Sequence, residues 1–284
     1  MSLRGYKAVL TAGGIGTRLL PFSKEIPKEM APVIGRGSDG SPQVKPIIHA
    51  IFEQLYSTGI RDYFLIVGRG KRAIEEHFTP DTAFIDSLRS RGKTENGLTE
   101  FYGMLKSSNM VFVSQPEPIG FGDAVLRARP YISSDFLVHA GDTLILSKGN
   151  RYLKRLSEAH NKYRADATVL LQDVEDPRAF GVVTSEEIRP GVVKIKEAVE
   201  KPKRPKSKTA IMPVYFFKSS IFDFLSRLRP GKGGEIQLTD AIESLIESGR
   251  TAVGVKLRRD EIRLDIGSPE TLLEALRLSG DYQK

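Results

Sequence analysis

A glycine-rich turn, Thr11-Ala12-Gly13-Gly14-Ile15-Gly16-Thr17-Arg18, follows the first apolar run of the chain. Lys28 stands ten residues beyond Arg18, in Ser23-Lys24-Glu25-Ile26-Pro27-Lys28-Glu29-Met30. Glycines let backbone N–H groups close on phosphate oxygens, and a guanidinium can fork onto the same atoms. A lysine fixed after a proline brings a second cation to the same strand end. The turn is not a P-loop, because no Gly-Lys-Ser/Thr follows, and it lacks the spacing of the dinucleotide fingerprint. Asp142, in Gly141-Asp142, closes the apolar run 136–139, and Asp265 stands in Leu264-Asp265-Ile266-Gly267. Taken singly, each aspartate reads as an Asx-type turn residue.

Other chemistries are removed by composition. The 284 residues include no cysteine, which excludes disulfides, thiolate zinc sites and a cysteine nucleophile. No Ser/His/Asp or Cys/His arrangement is present. The four histidines, His49, His77, His139 and His160, lack metal-ligand spacing and are expected to be structural or exposed. Hydrophobic residues at 40% and charged residues at 27% describe a folded globular chain. The net charge of +8 favours anionic partners without choosing among them. No stretch approaches the ~18 apolar residues of a membrane span, so a cytoplasmic protein without a membrane partner is expected.

The elements that must position these residues follow an alternating pattern. Strands are expected at 7–11, 62–67, 110–114 and 135–139, with helices at 46–59, 71–78 and 122–129. This is the βαβα order of an α/β fold with a Rossmann-like, mostly parallel mixed sheet and helices on both faces. The helix at 46–59 rests on Ile47, Ile51 and Leu55 four apart, beside Ile48 and Phe52. In the second half, strands are expected at 167–171, 181–184, 192–199 and 211–217, with helices at 151–163, 219–228 and 235–247. Ser268-Pro269-Glu270 opens a last helix as N-cap, N1 proline and first-turn acid, and Gly280 is expected to end it. Segments 35–45 and 201–208 are rich in turn formers or charge and read as surface loops. Neither can serve as a linker between independent domains, so one domain over 1–284 is expected. The placement of the first motif matters, because open α/β sheets bind ligands at the carboxyl ends of their strands.

Gly13-Gly14-Ile15-Gly16-Thr17-Arg18 followed by Lys24-Glu25-Ile26-Pro27-Lys28-Glu29-Met30 resembles the sugar-1-phosphate nucleotidylyltransferases, most of all the UTP–glucose-1-phosphate uridylyltransferases. The resemblance runs through nearly the whole chain and implies the nucleotide-diphospho-sugar transferase type of fold, with a nucleotide-binding half at about 1–145 and a sugar-phosphate-binding half at about 146–284. It implies that Arg18 and Lys28 meet the reacting phosphates, with Ala12, Gly13, Gly14, Gly16 and Thr17 in the nucleotide loop. Gln115 and Gly120, in Gln115-Pro116-Glu117-Pro118-Ile119-Gly120, resemble the pair that reads the base. Asp142 and Asp265 resemble the family's Mg²⁺ ligands. Phe180-Gly181-Val182 and Glu200-Lys201-Pro202 resemble the sugar-side motifs, with Gly181 and Glu200 on hydroxyls and Lys201 on the sugar phosphate. Tyr215 falls where relatives present an aromatic to the sugar, and an ordinary strand residue is the alternative. Thr239 and Asp240, in Gly234-Glu235-Ile236-Gln237-Leu238-Thr239-Asp240-Ala241, either shape the sugar pocket or cap a helix.

The reaction so implied joins a nucleoside triphosphate to a sugar 1-phosphate and releases pyrophosphate, with Mg²⁺ as cofactor. The attacking phosphate needs no general base, since its second pKa is about 6. Three departures leave the base and sugar open: the first loop reads Thr11-Ala12-Gly13-Gly14, closer to the thymidylyl- and guanylyltransferases, Asp265-Ile266-Gly267-Ser268-Pro269-Glu270 leans the same way, and segment 35–45 is longer than the turn usual there. A glucose-1-phosphate thymidylyltransferase or another sugar-1-phosphate specificity is therefore the alternative, and a non-catalytic nucleotide-sugar sensor stands further off. A nucleic-acid partner is not expected, because acids and bases are interspersed and no recognition module is present. A homo-oligomer, dimer or tetramer, is implied by the resemblance.

Overall fold

Residues 8–12 are buried without a break because both faces of their strand are covered: Ala8, Leu10 and Ala12 enter one core cluster and Val9 the other. Continuous apolar runs of this kind belong to inner strands of parallel sheets. The computed structural model describes residues 2–37, 39–95 and 97–282. In chain order the first half holds β1 (Lys7–Ala12), β2 (Pro32–Arg36), β3 (Pro42–Pro46), α1 (Ile47–Ser57), β4 (Asp62–Gly68), α2 (Arg72–His77), α3 (Thr82–Ser90), α4 (Leu98–Lys106), β5 (Asn109–Gln115), α5 (Phe121–Leu126) and β6 (Phe136–Ala140). The second half holds β7 (Thr143–Leu146), α6 (Arg151–Lys162), β8 (Ala167–Asp173), β9 (Gly181–Arg189), β10 (Val192–Glu200), β11 (Thr209–Phe217), α7 (Ile221–Leu225), α8 (Leu238–Glu247), β12 (Ala252–Lys256), β13 (Ile262–Asp265) and α9 (Pro269–Tyr282).

Nine strands form one sheet in the order β5-β4-β1-β6-β11-β8-β12-β10-β9, in which β10 and β11 run against the rest. This is the mostly parallel mixed sheet expected, in the nucleotide-diphospho-sugar transferase arrangement. Its far end curls back, since Val182 of β9 also pairs with Ala210 of β11. At the other end, β1 pairs in phase with both neighbours, Ala12 opposite Val67 and Thr11 opposite Ala140. Three carboxyl ends therefore finish at one level, each followed or closed by a glycine. The fit is close: a methyl group on Gly68 would stand 2.8 Å from Gly13 O, and one on Gly141 would stand 3.0 Å from Thr11 O.

The apolar spacing in α1 buries Ile47, Ile48, Ile51, Phe52 and Leu55, as the sequence indicates. Segment 35–45 departs from expectation. It supplies most of a two-stranded hairpin, with Ile34 opposite Val44 and Val33 opposite Lys45. The hairpin is held from outside by α9, whose Ser279 hydroxyl accepts from Ile34 N–H at 3.0 Å, and by Lys45, whose ammonium reaches Glu53 at 2.8 Å. That docking also carries α9 past Gly280 to Tyr282, so Gly280 lies inside the helix instead of ending it. The helix expected at 219–228 is shorter, Ile221–Leu225, and segment 201–208 is a loop as expected. Three histidines, His49, His139 and His160, are buried. Among the described residues no helix is long and apolar enough to cross a membrane.

Candidate active site

The turn after β1 leaves the sheet through Gly13 and Gly14 and reverses at Gly16, whose φ of 73° suits glycine. Thr17 and Arg18 then lie exposed on a short 3₁₀ turn, Thr17–Leu19. Lys28 approaches from beneath: a methyl group on Gly14 would stand 3.6 Å from its Nζ. Its ammonium donates to Asp142 Oδ2 at the end of β6. Asp142 raises the Lys28 pKa above the ordinary lysine range, against the opposing effect of burial. Burial by itself would push Asp142 upward, but Lys28 and the Thr143 hydroxyl together hold it below the usual carboxylate range.

Asp265 is brought to this point by the pairing of β13 with β7, which sets it opposite Thr143. The Thr143 hydroxyl lies 3.3 Å from Asp142 Oδ1 and 3.3 Å from Asp265 Oδ1, so one side chain spans both carboxylates. Burial, and then the nearby charge of Asp142, raise the Asp265 pKa. Arg18 joins from the other side. A methyl group on Gly267 would stand 3.2 Å from Arg18 Nη2 and 2.9 Å from Asp265 Oδ2. Two cations and two carboxylates thus meet beneath the glycine-rich turn.

Gln115 ends β5 in register with Gly68, which places it beside Gly13. The side chain is 3% exposed, and its amide N–H₂ donates to Gly120 O at 3.1 Å and to Asp123 Oδ2 at 2.9 Å. Oε1 lies against Gly13, where a methyl group would come within 1.8 Å of it. Gly120 has φ 120°, and any side chain there would strike Ile236 O at 2.4 Å. The same Ile236 donates its N–H to Ile119 O at 2.7 Å and accepts from Gly122 N–H at 2.8 Å, which ties the Gln115 loop to the segment leading into α8.

The remaining motif residues gather at the paired ends of β9 and β10. Gly181 is opposite Glu200, and Thr239 of α8 donates to Glu200 Oε2 at 2.7 Å. Thr239 therefore bonds into this cluster and is not a cap: the α8 cap position is Gln237, which makes no side-chain cap bond. Lys201 lies 3.3 Å from Glu200 Oε1 and is half-exposed. Its φ of 43° is an uncommon and costly conformation for a lysine, the kind of strain that collects at functional sites. Tyr215 is buried in the core beneath, stacked on Phe217 with centroids 5.4 Å apart. Arg263 links the two clusters, 3.5 Å from Asp265 Oδ1 and over the Phe180 ring at 5.4 Å.

Several partners have no signal of their own in the sequence. Thr143 could be suspected from its place beside Asp142, and Asp123 from its place in the Gln115 loop. Arg263 is visible only once β13 is paired.

The geometry accords with the comparisons. A family model described as nucleotidyl transferase matches residues 7–280. The chain is 37% identical over 274 residues to a putative UTP–glucose-1-phosphate uridylyltransferase of Methanocaldococcus jannaschii, covering 95% of this chain and 91% of that one. It is 35% identical over 276 residues to a UTP–glucose-1-phosphate uridylyltransferase of Bacillus subtilis, covering 92% and 89%. A solved UDP-glucose pyrophosphorylase in complex with UDP-glucose superposes with a TM-score of 0.81 at 30% identity, over 97% of this chain and 98% of the other. With matches spanning nearly its full length, the chain belongs to the nucleotidyl transferase family.

Proposed function

We infer that this chain transfers a uridylyl group from UTP to glucose 1-phosphate, giving UDP-glucose and pyrophosphate. The observation that carries the reading is the convergence of Arg18, Lys28, Asp142 and Asp265 under the glycine-rich turn, next to a wall made by Gln115 and Gly120. Relatives and a solved neighbour named for this activity and product support it.

The base meets Gln115 through Oε1, because both amide hydrogens are already donated within the protein. Oε1 accepts from N3–H of uracil, and the Gly120 backbone N–H faces the neighbouring O4. Thymine shares this edge, so the wall favours pyrimidines of this type without separating UTP from dTTP. Glycine N–H groups and Arg18 take the triphosphate, while Lys28 exchanges Asp142 for phosphate oxygens. Glu200 and Gly181 take sugar hydroxyls, and Lys201 takes the sugar phosphate. That phosphate is the nucleophile, and the protein's work is to hold two anions in line and spread the developing charge.

Asp142 and Asp265 would hold Mg²⁺. Two carboxylates spanned by one hydroxyl fit a hard cation that takes one or two protein carboxylates and completes its shell with phosphates and water. When bound, the ion supplies Lewis-acid stabilisation of the triphosphate.

The test is pyrophosphate release across UTP, dTTP and ATP, each paired with several sugar 1-phosphates. UTP with glucose 1-phosphate should give the highest kcat/KM, and EDTA should stop turnover. Folded protein that turns over no pair would favour a non-catalytic sensor, and a dTTP preference would move the chain to the thymidylyltransferases.

A further inference from the structure

Glu29 follows Lys28 and takes no part in the chemistry above, yet it is 1% exposed. Its carboxylate accepts a 2.8 Å hydrogen bond from Nζ of Lys71, itself 8% exposed. Burial raises the Glu29 pKa, and the Lys71 charge opposes that rise. Buried ion pairs add little net stability, because the cost of desolvation offsets the attraction. The pair therefore calls for an explanation in what it holds.

It holds the segment that carries Lys28. Lys28, Glu29 and Met30 form one 3₁₀ turn, closed by Met30 N–H to Pro27 O at 2.8 Å and Ala31 N–H to Lys28 O at 3.0 Å. A single turn has little rigidity of its own. Within it, Lys28 reaches Asp142 while Glu29 reaches Lys71, which stands just before α2 in the connection leaving β4. The Glu29 methylenes also press on the end of β6, where a methyl group on Gly141 would stand 3.3 Å from Glu29 Cγ. Along this line the charges alternate: Lys71, Glu29, Lys28, Asp142.

We propose that Glu29 and Lys71 are positioning residues, whose buried pair locks the Lys28 turn to the ends of β4 and β6 so that only the Lys28 side chain moves when it leaves Asp142 for the phosphates. An unanchored turn would let the backbone follow, and the ammonium would lose its aim at the reacting oxygens. The proposal rests on the phosphate role given to Lys28 above.

The decisive variant is the double substitution Glu29→Met with Lys71→Met, which removes both charges at similar volume and so avoids stranding one of them. Melting temperature should stay within a few degrees of wild type, while kcat falls at least about tenfold. The KM for glucose 1-phosphate should not change. Hydrogen exchange at the Met30 and Ala31 amides should quicken, with β1 and β6 protected as before. The single substitution Lys71→Arg, which keeps a buried cation on Glu29, should retain most of kcat. A double variant with wild-type kcat and wild-type exchange at Met30 and Ala31 would overturn the proposal. If the double variant does not fold, Glu29→Gln is read in its place: a lower kcat with faster Met30 exchange supports the anchor, and wild-type values for both refute it. Absence of turnover in the wild-type protein would instead fail the functional reading, and exchange at Met30 and Ala31 would still decide whether the pair fixes the turn.

Discussion

Lys28 and Lys201 carry the same charge in different surroundings, and their loss should be felt in different constants. The Lys28 side chain is largely buried on Asp142, whereas that of Lys201 is half-exposed beside Glu200. Lys28→Ala should lower kcat by roughly 10²-fold, as removal of a preorganised transition-state donor does. Lys201→Ala should mainly raise the KM for the sugar 1-phosphate, because in the role proposed for Lys201 its contact with that phosphate persists from ground state to transition state. Steady-state kinetics with each substrate varied in turn decide this. A rise confined to the nucleotide KM in Lys201→Ala would reverse the assignment of the two clusters to two substrates. The residue scale is also where the sequence is most legible: the glycines, Arg18, Lys28, Gln115 and the two aspartates, which their motifs single out, are brought together at the end of β1. Arg263 was not legible, because it acquires its place only from what stands next to it in space, while Thr143 and Asp123 offered no more than their positions beside Asp142 and in the Gln115 loop.

At the scale of elements, register makes the site. The shared level of β1, β4 and β6 puts three glycines together, and the step from Gly68 to Gln115 turns the Gln115 amide onto Gly13. Gly13→Ala tests this packing directly. Its methyl would fall 1.8 Å from Gln115 Oε1, and Gln115 is fixed by Gly120 and Asp123 and cannot swing aside without breaking those bonds. The expected result is a rise in the UTP KM of roughly tenfold or more, since displacements of about 1 Å in a positioned group are costly. Melting temperature should fall as well, because a displaced Gln115 loses two buried hydrogen bonds. An unaffected UTP KM in Gly13→Ala would mean that Oε1 does not meet the base. The hairpin of β2 and β3 shows the opposite case: its polar, turn-rich sequence hides two strands, because their pairing depends on α9 docking alongside.

For the whole molecule, two histidines set a limit on acid stability. Burial lowers the His139 pKa to about 4, and burial with the neighbouring His49 lowers that of His77 to about 4. His139 donates from Nδ1 to Ala140 O at 2.7 Å, a bond that favours the charged ring and is outweighed by burial. An unfolded histidine titrates near 6.5, so between about 6.5 and 4 the unfolded chain takes up protons that the folded chain refuses. Stability is then fully present above pH 6.5 and is lost as pH falls toward 4, by on the order of 3 kcal/mol for each ring. Urea unfolding at pH 7.5 and pH 5 should show the decline, and the imidazole NMR shifts of both residues should stay at neutral values down to pH 5. Titration of either ring near 6.5 would refute the assignment.

The sequence by itself determined the fold class and the order of the main strands and helices, and it marked the glycine-rich turn and its cations, because periodicity and glycine-rich turns are local properties of the chain. It also carried the family resemblance, whose motifs lie in short continuous runs. Only the tertiary structure decided that Asp265 faces Thr143 across 122 residues, that Thr239 serves Glu200 and not its own helix, and that Glu29 is anchored by Lys71. Each of these depends on strand register or on loop docking. Such contacts form between segments whose separation along the chain holds no trace of their proximity, and burial of both partners is what fixes them.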